Sequence, residues 1–392
     1  MSFDTTRPPT PDEMLAEKGF LTNFWKRIFL EAQRLNASDI HIESLKSGLQ
    51  VRLRVKGSLI SPFEIIQDRS EMVQFVDKFK EISGLDTSNK KVLQDSSFSL
   101  DLTTSTYRVS LSPGFQYGEC VVLRIINNDE LPSLERMALP ASAKDDMRWA
   151  LSQKQGLFLV TGPTGSGKST TLQACIAAMS YHDKKIISIE NPPERILPGV
   201  VHECITSRFG WKEAIKGAMR EDPDVILVGE IRDHESAKLA VEASQTGHLV
   251  LSTLHTNNVP ATITRLLTLG IEKHLIADAL LFISAQRLLK VLCVHCKQFE
   301  GDFCKKGQTG CAECQGTGYS GRIPILEYCL TPDPDLVFNF DHKVFSRILR
   351  QDLTGETRRL IKEGIVDHRL LPTEDTQTGA NVFHIKPRET RS

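Results

Sequence analysis

The sequence predicts an α/β protein with a parallel-sheet core, preceded by a smaller α+β domain and carrying a small metal-binding insert. Between about residues 144 and 371, short continuous apolar runs alternate with helix-compatible segments. That pattern is typical of strands buried in a parallel sheet. Period-two alternation between residues 39 and 126 marks half-exposed strands of a separate domain. Four cysteines in two C-x-x-C pairs predict the insert.

Length, charge and targeting signals narrow the class of protein. The chain has 392 residues, which suggests two or three domains. Lys and Arg total 48 against 49 Asp and Glu, so the net charge of −1 argues against a dedicated nucleic-acid binder. No run of eighteen apolar residues predicts a membrane-spanning helix. The polar N-terminus lacks the apolar core of an export signal, so the cysteines favour metal binding over disulfides.

The first part of the chain is expected to hold a flexible N-terminus over residues 1–24 and a small α+β domain over residues 25–130. Apolar residues recur at helical spacing from Phe20 to Leu35. They predict an amphipathic helix that packs on its own domain, with a membrane-surface helix as the alternative. The remaining expected elements are strands at 39–43, 49–55, 106–111 and 121–126 and a helix at 71–83.

Turn residues and two prolines predict a linker over residues 131–143, and the larger domain is expected over residues 144–371. Its predicted strands are 157–161, 186–189, 225–228 and 249–254, with helices after Lys168, Trp211, His234, Pro260 and Glu272. The polar tail, residues 372–392, is expected to be poorly ordered.

A complete G-x-x-x-x-G-K-[ST] motif follows the strand at 157–161 and precedes a helix. It runs Gly162-Pro163-Thr164-Gly165-Ser166-Gly167-Lys168-Ser169 and is continued by Thr170. Its glycines let the backbone N–H groups curl around phosphate oxygens at a helix N-terminus. Lys168 brings positive charge to the β- and γ-phosphates, and the Ser169 hydroxyl is placed to ligate Mg²⁺. The motif predicts an ATP site.

Two acidic segments follow neighbouring predicted strands. Glu230 emerges where the strand at 225–228 ends at Gly229, and open α/β sheets build their sites at this end of the strands. We expect Glu230 to reach the Mg²⁺ shell or the attacking water, with a structural salt bridge as the alternative. Glu194 closes the segment Glu190-Asn191-Pro192-Pro193-Glu194. Its prolines would hold a carboxylate that orients or deprotonates water, and a solvated loop glutamate is the alternative.

Two histidines bracket the strand at 249–254. His248 precedes the strand and His255 follows it. His255, at the carboxyl end, is placed to sense the γ-phosphate, although a lone histidine is as often structural.

These segments occur in a fixed order, 162–169, 190–194, 222–233 and 246–257. That order, with the wording DPDVILVGEIRD and TGHLVLSTLHTN, resembles the ATPases of type II secretion and type IV pilus assembly (GspE/PilB type). The resemblance extends to ASDIHIE at 37–43 and CQGTGYSGR at 314–322, and it covers about residues 25 to 330. In this family the four segments would be the P-loop, the Asp box, an atypical Walker B and the His box.

The resemblance implies a RecA-like P-loop motor domain preceded by a PAS-like domain. It implies a hexameric cytoplasmic ATPase at the inner face of the cytoplasmic membrane, using ATP and Mg²⁺. Hydrolysis would act on an inner-membrane platform protein that adds pilin subunits to a fibre. A membrane-anchored adaptor is a further candidate partner, although only about 20 to 25 residues precede the first recognisable domain, which predicts a reduced docking mode. No nucleic-acid partner is expected.

The resemblance also implies arginines that complete the nucleotide site. Arg108 and Arg124 match the family's arginines in the first domain, and Arg220 matches one in the second. Outward-facing strand residues are the alternative for the first two. The chain departs from the family at Asn191, where aspartate is usual, and at Lys216, where arginine is expected. The segment between Glu194 and Arg220 is also shorter. These departures leave open which Asp-box glutamate is the base, and we favour Glu194.

Four cysteines form the pairs Cys293/Cys296 and Cys311/Cys314, with 14 residues between them. Two such knuckles complete a tetrahedron around Zn²⁺. A redox role for one pair is the alternative, and Cys304 is a less favoured substitute ligand. Assembly and secretion ATPases of the resembling family carry such an insert and retraction ATPases lack it, so the insert favours fibre assembly. The competing functions are a RecA-like motor stimulated by nucleic acid and a nucleotide-gated scaffold without hydrolysis.

Overall fold

The chain divides into two units, residues 1–129 with 308–320, and residues 130–307 with 321–392. A computed structural model describes residues 9–17, 19–114, 117–127, 133–179, 183–206, 209–330, 349–370, 373–374 and 381–382. Each unit is built around its own sheet.

The first unit contains a six-stranded antiparallel sheet in the order β3-β2-β1-β6-β5-β4. Alternate side chains are buried along β1, β2 and β5, as the period-two pattern predicts. Its elements in chain order are α1 Pro11–Ala16, α2 Phe20–Arg34, β1 Ala37–Leu45, β2 Gly48–Val55, β3 Ser58–Ile60, α3 Arg69–Ser83, β4 Gln94–Leu100, β5 Ser105–Ser112 and β6 Cys120–Asn127.

Helix α2 packs within its own unit, as the favoured interpretation of its apolar stripe predicts. Trp25 is fully buried, stacks on Phe75 of α3 at 4.4 Å between ring centroids, and donates a hydrogen bond to the Phe75 carbonyl. The segment 1–24, expected to be flexible, contains helix α1 and the start of α2. Helix α1 is fixed by a capping box between Thr10 and Glu13 and by burial of Leu15.

The second unit contains a seven-stranded sheet in the order β15-β12-β7-β11-β10-β8-β9. The strands from β12 to β9 run parallel. Its elements in chain order are α4 Ala141–Ser152, β7 Gly156–Thr161, α5 Lys168–Ala177, β8 Ile186–Glu190, β9 Val200–Cys204, α6 Trp211–Ala218, β10 Val225–Val228, α7 His234–Gln245, β11 Leu249–Leu254, α8 Val259–Thr268, α9 Lys273–Ala279, β12 Leu280–Leu292, β13 Gln298–Glu300, β14 Phe303–Lys305, β15 Tyr319–Leu330, α10 Leu353–Lys362, β16 Thr373–Glu374 and β17 Asn381–Val382.

The parallel sheet is buried on both faces, which explains its continuous apolar runs. Leu157 and Leu159 of β7 join one core with helices α6 to α9, whereas Phe158 and Val160 join the opposite core with α4 and α5. The predicted strands 157–161, 186–189, 225–228 and 249–254 are all present. Strands β4, β9, β12 and β15 were not among the predicted elements.

The segment expected to be a linker, residues 131–143, contains a 3-10 turn at Leu134–Arg136 and the start of α4. Leu134, Met137 and Leu139 are buried in the same core as β7 and α5. Most of the predicted polar tail, residues 372–392, lies outside the described residues. Within the described part of the chain, no helix is long and apolar enough to cross a membrane.

Candidate nucleotide-binding site

The carboxyl ends of four neighbouring strands bring the predicted site residues to one edge of the parallel sheet. The register pairs Thr161 of β7 with Leu254 of β11, and Val228 of β10 with Ile189 of β8. The phosphate loop, the His255 segment, Glu230 and the Asp-box segment each follow one of these strand ends. Parallel pairing therefore assembles in space what the sequence spreads over almost a hundred residues.

The phosphate loop has the backbone that its glycines predict. Gly162, Gly165 and Gly167 have φ values of 146°, 76° and 86°, in the region that L side chains rarely adopt. Gly167 is the N-cap of α5, so the loop runs directly into a helix N-terminus. Free N–H groups and the helix dipole at such a terminus favour an anion.

Lys168 lies in the first turn of α5 with 8% of its surface exposed. Its Nζ donates to the Gly162 carbonyl at 2.9 Å and to the Pro163 carbonyl at 3.1 Å. Burial lowers the pKa of Lys168, and the negative charge of Glu230 partly opposes this effect. The ammonium is thus held by neutral carbonyls inside the loop, which leaves its positive charge available to a phosphate. Ser169 and Thr170 follow it in the same helical turn.

Glu230 follows β10 and lies close to the Arg232 guanidinium and the His255 imidazole. It forms an ion pair with Arg232, and its Oε2 lies 3.8 Å from Nε2 of His255. The salt bridge expected as the alternative role of Glu230 is therefore present. Glu230 is also close enough to Lys168 for its negative charge to raise the pKa of the lysine. A Cβ at Gly229 would lie 3.1 Å from the Ile189 carbonyl oxygen. Strand β8 therefore leaves little room for a side chain at this position, where many P-loop ATPases have aspartate.

His248 and His255 lie at opposite ends of β11, as their positions before and after the strand predict. His255 is half exposed at the carboxyl end of β11 beside Glu230. Burial and the charge of Lys168 lower the pKa of His255, so its neutral form is favoured near pH 7. The Nδ1 of His248 instead lies 3.0 Å from the Ala243 carbonyl oxygen, at the opposite end of the strand. Of these two histidines, His255 is the one that lies at the candidate site.

The two glutamates of the Asp-box segment have different surroundings. Glu190 accepts a hydrogen bond of 2.6 Å from Ser188 Oγ, and its Oε1 lies 3.8 Å from Nδ1 of His202. Glu194 is partly exposed and near enough to Lys168 to affect its pKa. The role of Glu194 toward a substrate water stays a prediction.

The three predicted arginines lie on two different units. Arg108 of β5 and Arg124 of β6 are a directly opposed cross-strand pair on the outer face of the first sheet, and both are exposed. Arg124 Nε lies 3.5 Å from Asp39 Oδ1. Arg220 follows α6 in the second unit and is also exposed. Their roles at a nucleotide stay predictions.

Sequence reasoning missed two arginines of the second unit. Arg232 pairs with Glu230. Arg287 of β12 donates to the Asn257 carbonyl at 2.6 Å and is close enough to Lys168 to lower its pKa. Arg232 was visible in the segment 222–233, but nothing in its spacing set it apart. Arg287 belongs to β12, which was not among the predicted strands.

The four predicted cysteine ligands come together. The sulfur atoms of Cys293, Cys296, Cys311 and Cys314 all lie within 4.8 Å of one another. Sγ of Cys311 and Sγ of Cys314 are 3.7 Å apart, close to the edge of about 3.8 Å expected for a tetrahedron with Zn–S bonds of about 2.3 Å. The N–H groups of Cys311 and Gly318 point to Cys314 Sγ at 3.1 Å and would stabilise a thiolate. The donor set therefore fits zinc.

Cys304 does not belong to that cluster. It is buried in β14, and its Sγ lies 3.0 Å from the position a Cβ would take on Gly364. Its thiol is used in packing, so it is not needed as a substitute ligand.

A phosphate loop at the tip of a parallel sheet, with a lysine inside it and carboxylates on the neighbouring strands, defines a P-loop nucleotide-binding protein. Residues 14–370 match the sequence pattern of the family described as "Type II/IV secretion system protein". The chain belongs to this family. The family that the sequence resembles is thereby confirmed.

Two relatives place the chain within the family. It is 38% identical over 323 residues to the type II secretion system ATPase E of Vibrio cholerae, covering 77% of this chain and 64% of the relative. It is 35% identical over 356 residues to the type IV pilus assembly ATPase PilB of Thermus thermophilus, covering 83% of this chain and 38% of the relative. The chain spans less than two thirds of the length of either relative.

Solved structures support the same fold. The ATPase DotB of Legionella pneumophila aligns over 91% of this chain and 96% of its own, with a TM-score of 0.70 and 23% identity. The pilus retraction motor PilT, solved with bound ADP, aligns over 90% of this chain and 95% of its own, with a TM-score of 0.64 and 26% identity. The predicted α/β P-loop fold is confirmed, and the PAS-like description of the first domain stays a prediction.

Proposed function

We propose that this chain hydrolyses ATP to drive assembly of a type II secretion pseudopilus or a type IV pilus. The observation that carries the proposal is the convergence of Lys168, Glu230 and His255 at one sheet edge. Membership of the secretion family supports the coupling to a fibre. ADP in the structure of PilT supports adenine nucleotide as the substrate class.

The protein's own groups divide the work of phosphoryl transfer. Loop N–H groups and Lys168 bind the β- and γ-phosphates and withdraw charge from the bond that breaks. Glu194 orients a water for in-line attack and accepts its proton. Neutral His255 donates a hydrogen bond to the γ-phosphate. Because His255 also lies next to Glu230, loss of the γ-phosphate changes the contact between these two side chains. Ser169 and Glu230 would hold Mg²⁺, which when bound neutralises the charge shared by the β- and γ-phosphate oxygens.

Arginines complete the site in this proposal. Arg108 and Arg124 of the first domain supply guanidinium groups to the γ-phosphate, and Arg220 of the motor domain adds a third. A correctly placed arginine finger accelerates phosphoryl transfer by about 10³-fold or more. The chain assembles into a hexameric ring, and hydrolysis moves one domain against the other. The domain bounds are those predicted, with the first domain ending near residue 130.

The ring acts at the inner face of the cytoplasmic membrane on an inner-membrane platform protein, with a membrane-anchored adaptor as a second partner. In this family, assembly and secretion ATPases carry a four-cysteine insert and retraction ATPases lack it, so the insert of this chain favours assembly. The zinc would be held by Cys293, Cys296, Cys311 and Cys314 and would stabilise the fold of the insert.

Steady-state ATP turnover of the purified chain, with its mass in solution measured alongside, tests the proposal. We expect hydrolysis by the assembled ring and a loss of at least about 100-fold in Lys168→Ala, Glu194→Gln and Glu230→Gln. Equal, slow turnover in wild type and Lys168→Ala would point to a nucleotide-gated scaffold. Strong stimulation by single-stranded DNA or RNA would point to a nucleic-acid motor. Either result would refute the proposed function.

A further inference from the structure

Gln286 lies beneath the phosphate loop and has no part in the predicted chemistry. It occupies the middle of β12 and is 1% exposed. Its Nε2 donates to the Ser166 carbonyl at 2.7 Å, and its Oε1 accepts from Thr171 Oγ1 at 2.8 Å. One amide group therefore ties the loop to the first helical turn that follows it.

The loop also lies against this residue through its glycines. A Cβ at Gly167 would lie 2.9 Å from Gln286 Nε2, and a Cβ at Gly162 would lie 2.5 Å from the Gln286 carbonyl oxygen. A side chain at either glycine would therefore push the loop off β12. The phosphate loop therefore packs directly against β12.

We propose that Gln286 is a positioning residue that aims the backbone of the phosphate loop at the bound phosphates. The peptide unit between Ser166 and Gly167 is planar and trans, so its C=O and N–H bonds point in opposite directions. A hydrogen bond that holds the Ser166 carbonyl down onto β12 therefore turns the Gly167 N–H up, toward the side where an anion binds. The amide of Gln286 sets the direction of that donor before nucleotide arrives.

A side chain at this position must supply one donor and one acceptor at fixed places. Glutamine does so without charge, whereas a carboxylate would lose the donor to Ser166 and bring negative charge beneath the phosphates. An apolar side chain of similar length would lose both bonds and leave the Ser166 carbonyl buried without its partner. The requirement explains a polar amide in an otherwise apolar, buried part of the strand.

The inference rests on the proposed nucleotide site, and its test measures binding rather than turnover. Equilibrium dissociation constants for a fluorescent ATP analogue and for ADP are measured on the full chain with Mg²⁺ present. For Gln286→Met we expect the dissociation constants to rise by about 10-fold or more, from the loss of two buried hydrogen bonds. The melting temperature without nucleotide should also fall, because the Ser166 carbonyl and the Thr171 hydroxyl lose a buried partner, so binding is measured at a temperature where the variant is folded. Gln286→Glu should weaken binding at least as much.

Ser284→Ala is the matched control. Ser284 lies two residues earlier on the same strand and is equally buried, but its removal takes no bond from the phosphate loop. Its dissociation constants should stay within twofold of wild type. Gln286→Met and Gln286→Glu that both bind ATP as tightly as wild type would overturn the inference. If Gln286→Met does not fold, Gln286→Glu alone decides between these outcomes.

Wild-type protein and Lys168→Ala separate the inference from the function on which it rests. Binding by wild type that Lys168→Ala abolishes supports the nucleotide site, whatever the Gln286 variants show. A wild-type chain that binds no ATP analogue would refute the proposed function and the inference together.

Discussion

Replacing Lys80 by methionine should destabilise the first unit by about 3 to 5 kcal/mol. Lys80 lies in α3 and is fully buried. Its Nζ is 2.5 Å from Glu119 Oε1 and donates to the Asn89 carbonyl at 3.1 Å. Glu119 is 8% exposed. Removing the ammonium therefore leaves a carboxylate in a site that water hardly reaches.

The magnitude follows from two opposing terms. At 2.5 Å and an effective dielectric constant of about 20, the attraction between the two charges is about 7 kcal/mol. Desolvation costs several kcal/mol for each ion, so the intact pair adds little net stability. The variant keeps the desolvation penalty of Glu119 and loses the attraction. The double variant Lys80→Met/Glu119→Leu removes both terms and should recover most of the lost stability.

Urea unfolding can report on this unit separately from the second unit, because the three tryptophans are distributed between them. Trp25 is buried against Phe75 in the first unit, whereas Trp149 and Trp211 belong to the second. In a Trp149→Phe/Trp211→Phe background, fluorescence follows the surroundings of Trp25 alone. The free energy of unfolding is then compared among the Lys80 variants.

Lys78→Met is the matched control on the same helix. Lys78 is partly exposed and pairs with Glu17 at 2.9 Å and Glu81 at 3.2 Å. Its replacement should change the free energy of unfolding by about 1 kcal/mol or less. A loss of under 1 kcal/mol in Lys80→Met, or a double variant less stable than Lys80→Met, would refute the reasoning.

Three further predictions concern the metal, a buried acid and an arginine. Metal analysis should find one zinc per chain in wild type and in Glu313→Ala but none in Cys311→Ser; zinc in Cys311→Ser would exclude the four-thiolate site. Burial raises the pKa of Glu327 to about 7 from 4.5, so stability should fall by about 3 kcal/mol as pH rises from about 4.5 to 7. That slope should be absent in Glu327→Gln when unfolding is measured across this range, and an identical slope in both proteins would assign it elsewhere. Arg124→Ala should lower kcat for ATP about 10-fold or more at unchanged melting temperature. The control is Arg27→Ala, which replaces an exposed arginine on α2 and should leave kcat unchanged. Equal kcat values in wild type, Arg124→Ala and Arg27→Ala would exclude Arg124 from the site.

The sequence was sufficient for the phosphate loop because a local motif determines it. Strand, loop and helix are consecutive, and the glycines report the required backbone directly. The buried strands were predictable for a similar reason, since both faces of the parallel sheet need apolar side chains. Glu230 and His255 could be placed at one edge because parallel pairing follows from the fold class.

The remaining features depend on contacts that no local pattern carries. Strand β12 runs for thirteen residues and mixes buried apolar positions with Gln286 and Arg287, so neither a continuous apolar run nor strict alternation marks it. The short helix α1 is set by its capping box and one buried leucine rather than by a periodic stripe. Lys80 and Glu119 are far apart in sequence, and ordinary surface charges have the same appearance in a sequence.

The length of β12 has a mechanical consequence. Cys293 follows the end of the strand at Leu292 and lies seven positions after Gln286. Seven residue steps of extended chain span roughly 23 Å. A hydrogen-bonded strand hardly stretches along its axis. A displacement of the phosphate loop along β12 would therefore reach Cys293 as a translation of the same strand.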